Sequence, residues 1–142
     1  MMYYIKRILQ IPAIERKLIV KGYLLCFAVW PVVYFLPLKK YMGLLKSAPK
    51  QPLPKDKATY IRLVRKTMRR IERFSPVRFS CLVKSVAFKL LLNGFGIESS
   101  IALGVNNSQP RLLKAHAWVK VEDEVVYLKR RRFWEVGKAD NI

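Results

Sequence analysis

The stretch SCLVKSVAFKLLLNGFGIESSIALGV, residues 80–105, changes its pattern of apolar residues partway along. From Leu82 to Leu92 the apolar residues step by four, as on a broad helix face, and Ser80 is a favourable residue type for a helix N-cap. Asn93-Gly94 ends the helical pattern, and residues 97–105 then read as a strand. The stretch therefore predicts a helix that leads directly into a sheet, as in an α+β domain.

Further strand patterns follow at 112–121 and 125–129, with an acidic turn between them. This spacing favours a small antiparallel sheet built as a meander. The segment before this stretch is predicted to be an amphipathic helix, because its apolar residues recur at steps of three and four. Ser75-Pro76 ends this helix. The apolar positions are Ile61, Val64, Met68 and Ile71, and the basic positions on the far side are Arg62, Lys66, Arg69 and Arg73.

The N-terminal region contains a long apolar run. Residues 22–38 are 17 uncharged residues flanked by lysines. A membrane span usually needs about 20 residues, and Pro31 and Pro37 interrupt the run. We therefore expect this run to form a buried or interfacial helix, with a true membrane span as the second alternative. Prolines at 49, 52 and 54 mark a polar connector. We divide the chain into an apolar and basic helical region with this connector, 1–56, and a core, 57–142.

The chain is strongly basic: 28 Lys and Arg against 9 acidic residues give a formal net charge of +19, while 52% of its 142 residues are hydrophobic. We expect a folded domain that attracts an acidic peptide or an anionic membrane surface. Two cysteines and one histidine, without Cys-x-x-Cys spacing, are too few ligands for a structural metal site. The two cysteines also make a disulfide framework an unfavourable interpretation.

Cys81 and His116 are the candidate catalytic residues. Cys81 stands in the first turn of the predicted helix, where unpaired backbone N–H groups and the helix dipole stabilise a thiolate. His116 is the chain's single imidazole and lies in the middle of a predicted strand, where it could serve as the base of a papain-like pair. A buried thiol and a core ring beside Trp118 are the alternative interpretation, and spacing alone does not decide between them.

The segments FSPVRFSCLVKSVAFKLLLNGFGIESSIALGVN, 74–106, and LKAHAWVKV, 113–121, resemble the core of the lasso-peptide biosynthesis B2 proteins, a transglutaminase-like family of leader peptidases. LPLKKYMGLL, 36–45, resembles the end of that family's apolar N-terminal helix. The motifs that carry the resemblance are Pro76, Cys81-Leu82 with Ser85, Gly96-Ile97, Gly104-Val105 and AHAWV at 115–119.

The resemblance implies a papain-like or transglutaminase-like α+β fold and a cytoplasmic thiol protease without a cofactor. Its substrate is a ribosomally made precursor peptide, from which it removes the leader, with Cys81 as nucleophile and His116 as base. The implied partners are a small leader-recognition protein and an asparagine-synthetase-like cyclase. Apart from the resemblance, the apolar segment 22–38 and the basic N-terminal half leave association with an anionic membrane surface open.

The third catalytic residue does not follow the family pattern. The family has an acid on the strand after the histidine, where this chain has YLK at 127–129. If Glu122-Asp123 form a two-residue turn, His116 faces Lys129 and the acids of the turn lie away from the ring. Glu135 is the candidate acid if it returns on a further strand. An amide or a backbone carbonyl could orient the ring instead.

Other functions stay open at this point. Without a recognisable acid, the domain could be a non-catalytic scaffold that presents the precursor to another enzyme. Acyl transfer to an amine would use the same nucleophile. The basic runs RRIER and KRRRF suggest a nucleic-acid-binding module, but aromatic residues do not alternate with them on one strand face as base stacking needs, so we expect no nucleic-acid partner.

Overall fold

Helices come first along the chain and strands follow. The structure is a computed structural model that describes residues 6, 9–45, 49, 52–106, 114–127 and 134–138. The helices are α1 (Ala13–Phe35), α2 (Leu38–Leu45), α3 (Lys57–Phe74) and α4 (Cys81–Gly94), and the strands are β1 (Ser100–Asn106), β2 (Lys114–Val121), β3 (Glu124–Tyr127) and β4 (Trp134–Lys138). The strands form an antiparallel sheet in the order β3-β2-β1-β4. The predicted α+β class is confirmed.

The sheet is a meander with one added strand. β1, β2 and β3 are neighbours in chain order, whereas β4 returns to pair with β1. Between β2 and β3, Glu122 and Asp123 have φ values of 50° and 65°, as a type I′ turn requires. Val121 pairs with Glu124 across this turn, so the predicted two-residue turn is confirmed. The predicted pairing of His116 with Lys129 lies outside the described residues.

Helix α3 has the predicted amphipathic form. The Asp56 side chain caps it by accepting a 3.3 Å hydrogen bond from the backbone N–H of Thr59. Ser75 is extended, as expected before a proline, and ends the helix. The apolar face is buried, with Val64 and Met68 fully inaccessible to solvent. The four basic residues predicted on the far side are exposed.

Helix α1 runs through the first of the two prolines. The predicted interruption at Pro31 is wrong, because α1 continues to Phe35. A proline inside a helix removes one backbone hydrogen bond, but the length and packing of α1 tolerate that loss. The helix ends instead at Leu36, whose extended backbone precedes Pro37.

One face of α1 packs into the same core as the rest of the domain. Leu18, Cys26 and Val29 share a buried cluster with residues of α3, α4 and the sheet. At Gly22 the approach is close: a Cβ atom there would lie 2.7 Å from Ile71 Cδ1 of α3. The other face is exposed. By length and composition, α1 is also the helix among the described residues that could cross a membrane.

A partly buried ion pair joins α1 to α3. The Glu15 carboxylate lies on the buried face of α1, 3.1 Å from Lys66 Nζ, and also accepts a hydrogen bond from Arg70 Nη1. Burial alone would raise the pKa of Glu15, but the hydrogen bonds and charges of Lys66 and Arg70 outweigh it and lower the pKa. The carboxylate therefore holds the N-terminal half of α1 against α3.

Candidate active site

Cys81 is the first residue of α4. The Ser80 side chain caps the helix by accepting a 3.3 Å hydrogen bond from the backbone N–H of Val83, which confirms Ser80 as the N-cap. Cys81 itself is half-buried at the margin of the core. Cys81 therefore combines partial solvent access with a position at the positive end of a helix.

Cys26 provides the contrast within the same chain. It is fully buried on α1, and burial raises its pKa to about 11. An apolar enclosure disfavours the thiolate, which is the nucleophilic form. Cys26 is therefore a packing residue, and Cys81 is the better candidate nucleophile.

His116 is the third residue of β2 and is 7% exposed. Trp118, two positions further along the strand, is fully buried, and its ring centroid lies 6.2 Å from that of the imidazole. Since side chains two apart on a strand share a face, the two rings lie on the same face of the sheet. The Trp118 indole therefore lies beside the imidazole on that face.

The connection after α4 leads into the sheet that carries His116. After α4, Gly96 adopts φ 78°, a left-handed conformation suited to glycine, and the backbone N–H of Ile97 donates to the carbonyl of Leu92. The chain thus turns after α4 and enters β1, which contacts the helix. Gly104, near the far end of β1, pairs with His116. His116 therefore lies on a strand that packs against α4.

The burial of the two alanines that flank His116 shows where α4 stops covering β2. Ala117 is 2% exposed and belongs to the core that includes α4, whereas Ala115 is exposed. The cover of α4 over β2 therefore ends beside His116. Because side chains alternate along a strand, His116 and Trp118 lie on the face opposite Ala117. The alternation along β2 therefore sets the imidazole on the face of the sheet opposite the residues that pack with α4.

Glu135 falls in the same cross-strand row as His116. On one side Gly104 pairs with His116 of β2, and on the other it pairs with Glu135 of β4, next to a register shift between Leu103 and Gly104. The sequence predicted that Glu135 could return on a further strand, and it does lie on β4. The sequence could not predict that Glu135 shares a cross-strand row with His116, because it does not show which strand β4 pairs with.

The acidic residues of the β2–β3 turn lie away from His116. Glu122 pairs with Lys57 at the start of α3, with 2.5 Å between Oε1 and Nζ. This contact holds the turn beside α3, at the opposite end of β2 from His116. The structure therefore separates the turn acids from the imidazole, as the two-residue turn implied.

A polar row on α4 was not recognised as a unit from the sequence. Ser85 and Lys89 follow Cys81 at steps of four, so the three lie along one helix face. Ser85 Oγ is buried without a hydrogen-bond partner among the described residues, and Lys89, 2% exposed, donates from Nζ to the carbonyl of Ser99. The signal that could have found this row is the same step of four that the apolar residues show.

Comparison with known proteins identifies the family. Residues 28–135 match the model of the transglutaminase-like superfamily, and neither the curated proteins nor the solved structures gave a match. The chain therefore belongs to the transglutaminase-like superfamily, and its fold is a transglutaminase-like domain. This superfamily includes cysteine proteases and transferases. Among the described residues, no group of three metal-ligating side chains comes together.

Proposed function

We propose that the chain is a cysteine peptidase that removes the leader from a ribosomally made precursor peptide of the lasso type. Cys81 is the nucleophile and His116 is the base. The observation that supports the proposal is the half-buried Cys81 at the first position of α4, in a transglutaminase-like domain whose sheet carries the chain's single histidine.

The chemistry follows from these two groups. The imidazole takes the thiol proton, and the thiolate attacks the scissile carbonyl to form a tetrahedral intermediate. The backbone N–H of Cys81, in the first turn of α4, can donate to the oxyanion, since N–H groups there lack helical partners. The imidazolium then protonates the departing amine, and the C–N bond breaks. Water, deprotonated by the imidazole, hydrolyses the thioester and restores the thiol.

Glu135 is the proposed positioning residue for the imidazole. Neighbouring strands lie about 5 Å apart, so Cα atoms two strands apart are separated by about 10 Å. Gly104 carries no side chain between the two positions. A carboxylate in this row would orient the ring and stabilise its charged form. Glu135→Gln would then shift the acid limb of the pH–rate profile, which a purely structural role would leave in place.

The proposed partners are the precursor, a small leader-recognition protein and an asparagine-synthetase-like cyclase. The exposed basic face of α3, with Arg62, Arg69 and Arg73, suits an acidic leader or an acidic partner. Lys66 on the same helix already contacts Glu15. Binding through this face would weaken steeply with added salt, and binding that is insensitive to salt would exclude it.

The cleavage experiment uses the full chain with a lasso-type precursor peptide and a small leader-binding protein, and mass spectrometry detects the released leader. Cys81→Ala should abolish cleavage, and His116→Ala should lower it by at least about a hundredfold, because general-base assistance is lost. Cys26→Ala is the matched control and should keep cleavage. A Cys81→Ala protein that still cleaves would exclude the proposed nucleophile.

A non-catalytic scaffold is the second candidate. It is favoured by the alternation along β2, which sets His116 on the face opposite the residues that pack with α4. A scaffold would present the precursor to the cyclase without breaking a bond. Under this alternative, Cys81→Ala and His116→Ala proteins would support cyclisation of a pre-cleaved precursor as well as the unaltered chain does, and neither would release a leader.

A further inference from the structure

Helix α1 carries an exposed apolar surface that the proposed peptidase site does not use. We define the outer face of α1 as Leu24, Phe27, Trp30, Pro31, Tyr34 and Phe35. All six are exposed, and Phe35, at 85%, and Leu24, at 63%, are among the most exposed apolar side chains described. We propose that this outer face binds an anionic lipid bilayer, with α1 lying in the plane of the membrane surface.

The outer face has the composition of a membrane-surface helix. Trp30 and Tyr34 are in edge-to-face contact, with ring centroids 5.9 Å apart, on the exposed side. Trp and Tyr favour the headgroup region, where one side of the ring is apolar and the other is wet. From Leu24 to Phe35 the face extends about 16 Å along the helix axis. A contiguous exposed apolar surface of this kind marks an interaction site.

Basic residues border the outer face at both ends. Lys17 and Lys21 are exposed on the N-terminal half of α1, and Lys39 and Lys40 are exposed on α2. The acidic residue of α1, Glu15, is buried on the opposite face. An apolar surface flanked by lysines complements a bilayer that contains anionic headgroups, because each lysine near the surface adds electrostatic attraction.

The packing of α1 favours binding in the plane over spanning. The inner face is engaged with α3 and α4, closely so at Gly22, and the Glu15 carboxylate is held by two cationic side chains of α3. To span a bilayer, α1 would have to leave this core and take Glu15 with it. Charged groups inside the hydrocarbon region are costly. A helix that stays docked and exposes only its outer face keeps its core contacts and keeps the Glu15 charge out of the hydrocarbon region.

A lipid surface also fits better than a protein partner. The outer face is the convex side of a single helix. The groove beside it is lined by apolar residues together with lysines, among them Val20, Leu24, Lys17 and Lys21. Protein interfaces tend to lose lysine from their centre, whereas membrane-surface helices place lysine at the border of the apolar face.

The test measures co-sedimentation of the full chain with vesicles of phosphatidylcholine alone and of phosphatidylcholine mixed with phosphatidylglycerol. We expect binding to the mixed vesicles that weakens with salt. Replacing Leu24 and Phe35 by Ser should lower the partition coefficient at least about tenfold, since two exposed apolar side chains are lost from the contact. Lys39→Gln with Lys40→Gln should lower it about 25-fold, or about fivefold for each lysine.

Matched controls lie outside the outer face. Leu53, 61% exposed, and Lys55, also exposed, allow Leu53→Ser and Lys55→Gln, which should leave the partition unchanged. Far-UV circular dichroism and thermal melting confirm that every variant is folded. Quenching of Trp30 fluorescence by brominated lipid, lost in Trp30→Phe, reports direct contact.

Four results would overturn the proposal: no binding to either vesicle type, equal binding of the outer-face variants, retention in the membrane after alkaline carbonate extraction, as for a spanning helix, or a dimer that hides the outer face and dissociates in the Leu24 and Phe35 variant.

Discussion

Alkylation of the native protein tests the contrast between the two cysteines. The perturbation is iodoacetamide at about pH 8, where an ordinary thiol is partly ionised. Burial raises the pKa of Cys26 from 9.0 to about 11, and a difference of about two units lowers its thiolate fraction about 100-fold. The sulfur is also fully inaccessible to solvent, so reagent can reach it only when α1 lifts from the core. Cys81 should therefore react at least about 100-fold faster.

The assay is mass spectrometry of the labelled peptides over time, with Cys26→Ala and Cys81→Ala proteins to assign each rate. In concentrated urea the two cysteines should react at similar rates, because burial is removed, and this provides the internal control. Equal rates in the native protein would refute the reasoning: either α1 does not cover Cys26, or the Cys81 thiol is as protected as a core residue.

Three further predictions concern stability. Glu15→Gln should lower the free energy of unfolding by about 2 kcal/mol at neutral pH. The lowered pKa of Glu15 means that its contribution is present above the ordinary value of 4.5 and is lost as pH falls through the folded value, so urea titrations should show a weaker acid dependence in the variant. Ser80→Ala should cost about 1 kcal/mol in thermal unfolding, whereas Ser80→Asp should not, because aspartate also caps. Met68→Ala should cost about 3 kcal/mol by denaturant unfolding, against a change within about 0.5 kcal/mol for the exposed Arg69→Ala.

Local patterns predicted the elements that position the candidate nucleophile. The alternation of three and four steps in α3 matches its buried face, and Ser80 before Cys81 predicted the start of α4. These succeed because capping and amphipathic periodicity act within one or two turns of chain. Pro31 shows the limit of such arguments: its local effect is unfavourable, but the tertiary contacts of α1 outweigh it.

The candidate site required information that no local pattern carries. Gly104 stands between His116 and Glu135 only because β4 returns to the edge of β1, a pairing between segments that are distant in sequence. Strand order and register are set by burial of whole faces and not by the residues of one strand.

By itself, the amino-acid sequence determined that a helix starts at Cys81, that strands follow, and that the chain is basic and apolar enough to fold and to attract anions. The tertiary structure alone decided that one face of α1 is core and the other is exposed, and that Gly104 stands between His116 and Glu135 in the sheet. The physical reason is that periodicity shows which residues of an element share a face, whereas the partner of that face depends on packing between elements far apart in the chain.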